Sequence, residues 1–347
     1  MPPAKRTGPI LTRRAPAPVE LHSAPLVLPI STDPIRDAGV AVGGGRVLRV
    51  GPRAELLSRL PIQREVRWPG MIVAGLVDAR SAGAGAEPGV IAHATLTADL
   101  TVDSAADPAG PAGRPGVSYL EVGCGSEQAW EDSERDAVIT AIREVDRPCA
   151  VGLAAHARDP AVLEDLAVLA RTFGLRLLVD LDRHSPAALD EAGILGPHCH
   201  VACARPLDPG ERKLLRLRGT VAALCAEPTI DTFALLDEGN PIALGTAGSR
   251  TSGGGVLGQA RAIRVLARER GLRTRGLDRR LVEAATLGGA RALGMDRGAG
   301  RIGTLEPGGR ADFAVYDARG RYPYAALLAG PPCLATVVGG VIRPPVT

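Results

Sequence analysis

From Gly116 onward the chain repeats one pattern, a short apolar run followed by a stretch of helical length and then another apolar run. Val117–Val122, Cys149–His156, Leu175–Leu181, His200–Ala204, Thr220–Cys225 and Ile242–Gly245 read as strands. Pro160–Phe173, with apolar residues at 162, 163, 166, 169 and 170, reads as a helix packed on them, and Glu131–Val145 as another. Strands that alternate with helices pair in parallel through crossover connections. Both faces of such a sheet are covered, so its strands carry apolar runs without polar alternation. Adding the run that ends near Asp78 and the stretch Val90–Leu100 brings the count to about eight, the number that closes a (β/α)8 barrel.

The stretch Pro69–Ala82 is where this pattern begins. A continuous apolar run opened by Pro69-Gly70 and closed by Asp78-Ala79-Arg80-Ser81-Ala82 is expected to form one buried strand. Ahead of it, Val19–Ile30, Gly39–Val50 with its Gly43-Gly44-Gly45 turn, and Arg64–Trp68 read as strands. Beyond the barrel, Gly254–Glu269 and Asp278–Leu293 read as helices, and Ala335–Ile342 as a hairpin around Gly339-Gly340. Neither end has enough strands to bury a core alone, so the two are expected to combine. The expected fold is therefore α/β: a contracted TIM-like (β/α)8 barrel over 71–297, a small composite β-sandwich from 19–70 plus 298–347, and a disordered tail over 1–18. Residues 83–115 are poorly patterned, with a low-complexity loop from Ala105 to Gly113.

A net charge of +3 without a clustered basic face speaks against nucleic-acid binding. No apolar run reaches the length of a membrane span. The first 18 residues carry Lys5, Arg6, Arg13 and Arg14 but no apolar core of a secretory signal. Six scattered cysteines without a Cys-x-x-Cys pair suggest reduced, buried thiols, and the expected location is the cytoplasm. Ser252-Gly253-Gly254-Gly255 lacks the Gly-Lys-Ser/Thr of a phosphate loop, and no Gly-x-Ser-x-Gly elbow supports serine hydrolysis.

The most specific block lies near the C-terminus: Ala284-Ala285-Thr286-Leu287-Gly288-Gly289-Ala290-Arg291-Ala292-Leu293-Gly294, then Gly303-Thr304-Leu305-Glu306-Pro307-Gly308 and Arg310-Ala311-Asp312. With the N-terminal hairpins and residues 69–77, it resembles amidohydrolase-superfamily deaminases, those acting on guanine, S-adenosylhomocysteine and aminofutalosine. The resemblance implies a catalytic zinc or iron held by His and Asp at the C-terminal ends of barrel strands, with a carboxylate moving protons. It is weakest over 83–115, which is too short for the loop, helix, strand and helix that the family places there.

Carried over residue by residue, the resemblance puts the His-x-His of the first strand on Arg80 and Ala82. The fifth-strand positions fall on Leu178 and Asp180, and the acid/base position on Arg183. The sixth-strand ligand falls on Cys203 and the eighth-strand Asp on Ala247. Arginine is a permanent cation, and alanine and leucine carry no donor atom, so this set is expected to hold no metal. Lys5 and Lys213, the only lysines, lie on no candidate strand for a carboxylated-lysine centre. His198, His200 and Cys203 offer a relocated soft-metal site, weighed against ordinary strand-end packing. Glu121 and His156 are candidates to line a pocket, weighed against a buried arginine partner for Glu121 and an ordinary helix-start histidine for His156. Arg80, Asp180, Arg183 and Glu121 together are expected to fill the emptied centre with charge-assisted hydrogen bonds.

The favoured expectation is a homologue without catalytic residues or cofactor. It would bind a small nucleoside-like ligand and assemble as a homodimer or as a hetero-oligomer with an active relative. Hydrolysis of non-peptide C–N bonds by an altered mechanism, or a structural or assembly role, stand as alternatives.

Overall fold

The computed structural model describes residues 17–81, 87–98, 115–144, 150–247 and 255–343. The first five strands are β1 (Glu20–Leu28), β2 (Ile35–Gly43), β3 (Arg46–Pro52), β4 (Arg64–Arg67) and β5 (Met71–Ala74). Eight follow: β6 (Leu76–Asp78), β7 (Val90–Thr97), β8 (Gly116–Val122), β9 (Ala150–Ala155), β10 (Arg176–Asp180), β11 (Cys199–Cys203), β12 (Val221–Leu224) and β13 (Ile242–Leu244). The last three are β14 (Phe313–Tyr316), β15 (Cys333–Val338) and β16 (Val341–Arg343).

Strands β6 to β13 lie side by side in sequence order, each parallel to the next. The ring closes just beyond the strand ends. Ala79 N donates to Leu244 O at 2.9 Å, and Thr246 N and Ala247 N donate to Arg80 O at 2.9 and 2.8 Å. The expected barrel is thus complete, with β7 as its second strand. Alternate residues divide between lumen and helix layer, as a period of two requires. Ala79, Tyr119, Ala154, Leu178, Ala202 and Ala223 pack inside. Leu120, Leu153, Val179, Val201 and Cys203 face the outer core.

The outer helices follow local rules. Asp159 caps Pro160–Phe173 by accepting from Ala161 N, Pro160 sits in the first turn, and Gly174 ends the helix with φ 65°. Its buried residues include all five of the apolar positions read from the sequence. The expected helix from Glu131 starts earlier. Ser126 caps Glu127–Ala129, and a π-turn over Trp130–Glu134 leads into Arg135–Glu144. That turn seats the buried Trp130, whose Nε1 donates to Asp165 at 3.0 Å. Arg53–Arg59 is a helix with no counterpart in the sequence reading.

One expectation is corrected at the entry to the barrel. The apolar run after Pro69 is two strands in two sheets, because β5 pairs with β1 and β14 while β6 pairs with β7. The change falls at Gly75, whose backbone passes so close to Ile91 that an added Cβ would lie 2.3 Å from its Cγ1. The other sheet runs β16-β15-β14-β5-β1-β2-β3, with β4 beside β1, so both chain ends build it. It folds over on itself: Ala311 N donates to Gly45 O, and Val47 exchanges bonds with Gly308 and Gly309. Below the barrel, the helical stretch Leu277–Ala292 contains a π-turn, Ala284–Gly288, and meets the strands without intervening side chains. A Cβ on Gly288 would lie 2.1 Å from Ile242 O, and one on Gly289 2.6 Å from Val77.

Candidate functional site

The C-terminal ends of the barrel strands bring together Asp78, Arg80, His156, Asp180, His184, Cys225 and Thr246. Asp78, at the end of β6, is buried and fixes the seam of the ring. Its Oδ1 accepts from Arg80 N at 3.1 Å and Thr246 N at 3.2 Å, and its Oδ2 accepts from Thr246 Oγ1 at 2.6 Å. Burial raises its pKa above the ordinary carboxylate value, against the pull of those hydrogen bonds and of Arg80. Gly245 makes room here, since a Cβ on it would press on Cys225 Sγ and Arg80.

Arg80 leaves this seam with its side chain 17% exposed, and its Nη2 lies 3.7 Å from Asp180 Oδ2. The same oxygen stands 3.3 Å from His156 Nε2, a contact at ion-pair distance without hydrogen-bond alignment. Burial alone would push the Asp180 carboxyl up, but His156, Arg80 and Arg183 outweigh it and hold it below its usual value. His184, buried beside His156 and bonded to the backbone of Ala155, is kept neutral to lower pH chiefly by burial, with the nearby Arg183 and Arg158 acting in the same direction. Cys225 lies inside the ring, within electrostatic reach of Asp78, Arg80 and Asp180, and burial raises its thiol pKa strongly.

The residues singled out from the sequence divide. Arg80, Asp180 and His156 meet. Leu178 is fully buried in the lumen beneath Asp180. Ala247 sits at the seam, its backbone bonded to Arg80 O. Ala82 lies outside the described residues. Arg183 is exposed and acts on Asp180 and His184 through space only. Glu121 shares the inward face of β8 with Tyr119 but is exposed at the rim, and no described arginine pairs with it. The expected four-residue charge filling is therefore corrected to Arg80, Asp180 and His156.

Cys203 is also corrected. It faces the helix layer beside Leu207, and the inward positions of β11 are His200 and Ala202. Nor do His198, His200 and Cys203 converge. His200 points across the lumen, 3.0 Å from Ala79 O and edge-on to Tyr119. His198 precedes β11 and lies at the opposite end of the barrel, beside Arg171 and Arg176. Asp78, His184 and Thr246 are not among the site residues that the sequence reading singles out. A polar residue at the end of an apolar strand was the available signal for Asp78, and the Gly-Thr pair after β13 for Thr246.

A model of the amidohydrolase family matches residues 133–343. The chain belongs to that family. A 5-methylthioadenosine/S-adenosylhomocysteine deaminase of Syntrophobacter fumaroxidans is 34% identical over 146 residues, 40% of this chain and 33% of that one, so the match spans a third of the relative's length. Among solved structures, an adenosine deaminase from Xanthomonas campestris with bound zinc is similar at a TM-score of 0.74, with 18% identity over 93% of this chain and 92% of that one. Atrazine chlorohydrolase from Arthrobacter aurescens, complexed with zinc, gives 0.73 at 17% identity over 94% and 97%. At such identities these two likenesses speak for the fold alone.

The described donor set at the barrel mouth does not fit a zinc centre. Among the described residues no three His, Cys, Asp or Glu side chains come together to hold a metal ion. The carboxylate nearest the expected position, Asp180, already faces a guanidinium and an imidazole. Among the described residues no helix is long and apolar enough to cross a membrane.

Proposed function

We propose that this chain is a non-catalytic member of the amidohydrolase family that binds a small nucleoside-like ligand at the barrel mouth. It would serve as a binding or regulatory subunit, as a homo-oligomer or with an active relative, in the cytoplasm. One observation carries the reading: the Arg80 guanidinium stands against Asp180 where the resemblance expects imidazoles gripping a dication. A guanidinium can orient a ligand, but it has no open coordination position and cannot generate metal-bound hydroxide at neutral pH. The deaminase relative suggests the ligand class, and the poor fit of the described mouth residues to a dication supports a role without its chemistry. In this reading the barrel needs no zinc or iron.

Metal analysis of the purified chain, together with ammonia release from 5-methylthioadenosine and S-adenosylhomocysteine, tests this. Substoichiometric zinc and iron with no ammonia above the uncatalysed rate is the expected result. A stoichiometric metal with turnover overturns it. One contact favours a second reading, C–N hydrolysis by an altered mechanism: His156 beside Asp180 at 3.3 Å is an imidazole–carboxylate pair able to act on water. Ammonia release that needs no metal and disappears in His156→Gln is its signature.

A further inference from the structure

The hydrogen bonding of Arg80 is incomplete in a way that points to what the mouth binds. A guanidinium carries five N–H donors in one plane. Here the side chain is mostly buried, and among the described residues its Nε has no hydrogen-bond partner and its one ion-pair contact is Asp180 at 3.7 Å, longer than a hydrogen bond. Buried donors are nearly always met, so one that the protein leaves open calls for an acceptor from outside. One neighbour adds to the imbalance: Nε2 of His156 is buried without an aligned hydrogen-bond partner among the described residues. Of the described carboxylates just beyond these strand ends, Asp180 is shared by His156 and Arg80 through one oxygen, Asp78 is committed to the seam, Asp159 caps Pro160–Phe173, and Glu121, Asp182 and Glu227 are exposed.

We propose that the barrel mouth binds an oxyanion, a carboxylate or a phosphate ester on a small organic molecule, held by the planar fork of Arg80 with the imidazole of His156 beside it. The assignment rests on the binding role proposed above and names its ligand chemistry. Arginine suits such a group because its fork matches two oxygens at once, which a lysine ammonium cannot do. The exposed cations Arg158 and Arg183 lie near His184 and would draw an anion toward the mouth.

Titration calorimetry with adenosine, adenosine 5′-monophosphate, benzoate and inorganic phosphate tests the assignment on wild type, Arg80→Met and Arg80→Lys, with Arg49→Met as a distant control. At least one anionic probe is expected to bind at least tenfold more tightly than neutral adenosine. Arg80→Met should remove that advantage, Arg80→Lys should keep part of it, and Arg49→Met should leave it intact. Benzoate binding identifies a carboxylate; binding of the monophosphate or of phosphate, without benzoate, identifies a phosphate. No anion binding, or anion binding unchanged by Arg80→Met, overturns the proposal; where the Met variant does not fold, unchanged binding in Arg80→Lys does so. Adenosine bound as tightly as its monophosphate overturns the oxyanion and leaves the nucleoside-binding role standing. That role fails on a separate readout, metal-dependent ammonia release.

Discussion

At the scale of single residues, charge in this protein is governed by burial and by pairs. Arg80 and Asp180 are tolerable near the lumen because they face one another, whereas Asp78 is tolerated through hydrogen bonds to the seam. The buried histidines behave differently, since burial keeps them neutral. His22 on β1 has its pKa lowered to about 4, mainly by burial, and His200 in the lumen to about 3 for the same reason. A folded pKa below the unfolded value of about 6.5 means that the unfolded chain binds protons first. The contribution of each group is then fully present above about pH 6.5 and falls as pH drops toward the folded value. Urea unfolding should show a loss of a few kcal/mol between pH 6.5 and 4, on the order of one kcal/mol for each unit of pKa shift. His22→Gln keeps an acceptor for Trp68 Nε1, which His22 Nδ1 meets at 3.3 Å, and should flatten part of that acid limb. A slope unchanged in this variant would remove His22 from the account.

Among elements, the decisive junction is Gly75, where one apolar run becomes β5 in the composite sheet and β6 in the barrel. A methyl group there would drive into Ile91 at 2.3 and 2.5 Å, and Ile91 is fully buried with nowhere to move. Gly75→Ala should cost about 1–3 kcal/mol as an overpacked core does. Ile91→Ala alone should cost about 2–5 kcal/mol. The double variant should be less destabilised than the two changes added together, as read by denaturant midpoints. Strict additivity would mean that the two sites do not share that space. The same junction shows what the sequence could reveal. Parallel strands buried on both faces were legible as apolar runs, so β8 to β13 and the helix Pro160–Phe173 fall close to where periodicity puts them. An apolar run carries no mark of which sheet it joins, so the break at Gly75 was invisible. At the site, the chemical mismatch of Arg80 with a metal was legible from residue type. Cys203 was misread because one step along a strand exchanges lumen for helix layer. Glu121 has the expected phase, but phase does not report how open the rim is. The meeting of Thr246 with Asp78 joins the first and last barrel strands, and that of His184 with His156 depends on loop geometry beyond two neighbouring strands, neither of which a local pattern encodes.

For the whole molecule, the composite sheet makes the two chain ends one folding unit. β14 lies between β5 and β15, and Asp312 just before it ties Gly75 N through its carbonyl and Gly339 N through its carboxylate at 2.5 Å. Other ties reach farther: Leu305 N donates to Pro29 O, and Gly89 N, at the foot of the barrel, donates to Thr336 Oγ1 at 2.8 Å. Ile302, Leu305, Phe313, Val315 and Val337 are each at most 2% exposed, so removing residues 298–347 strips at least these five core side chains at once. At about 1.5–3 kcal/mol for each, that is on the order of 10 kcal/mol. The loss is comparable to the entire net stability of a typical domain, about 5–15 kcal/mol. It would also uncover Met71, Ile72 and Val73, all fully buried in the intact chain. A chain ending at residue 297 is therefore expected to lose near-ultraviolet circular dichroism and cooperative unfolding, although its barrel strands are all present. Adding residues 298–347 as a separate polypeptide should restore both signals, because the missing strands pair edge to edge with β5. If the shortened chain unfolded alone in one sharp transition at the full-length midpoint, the barrel would be self-sufficient, and the C-terminal strands would be an accessory to it instead of part of its core.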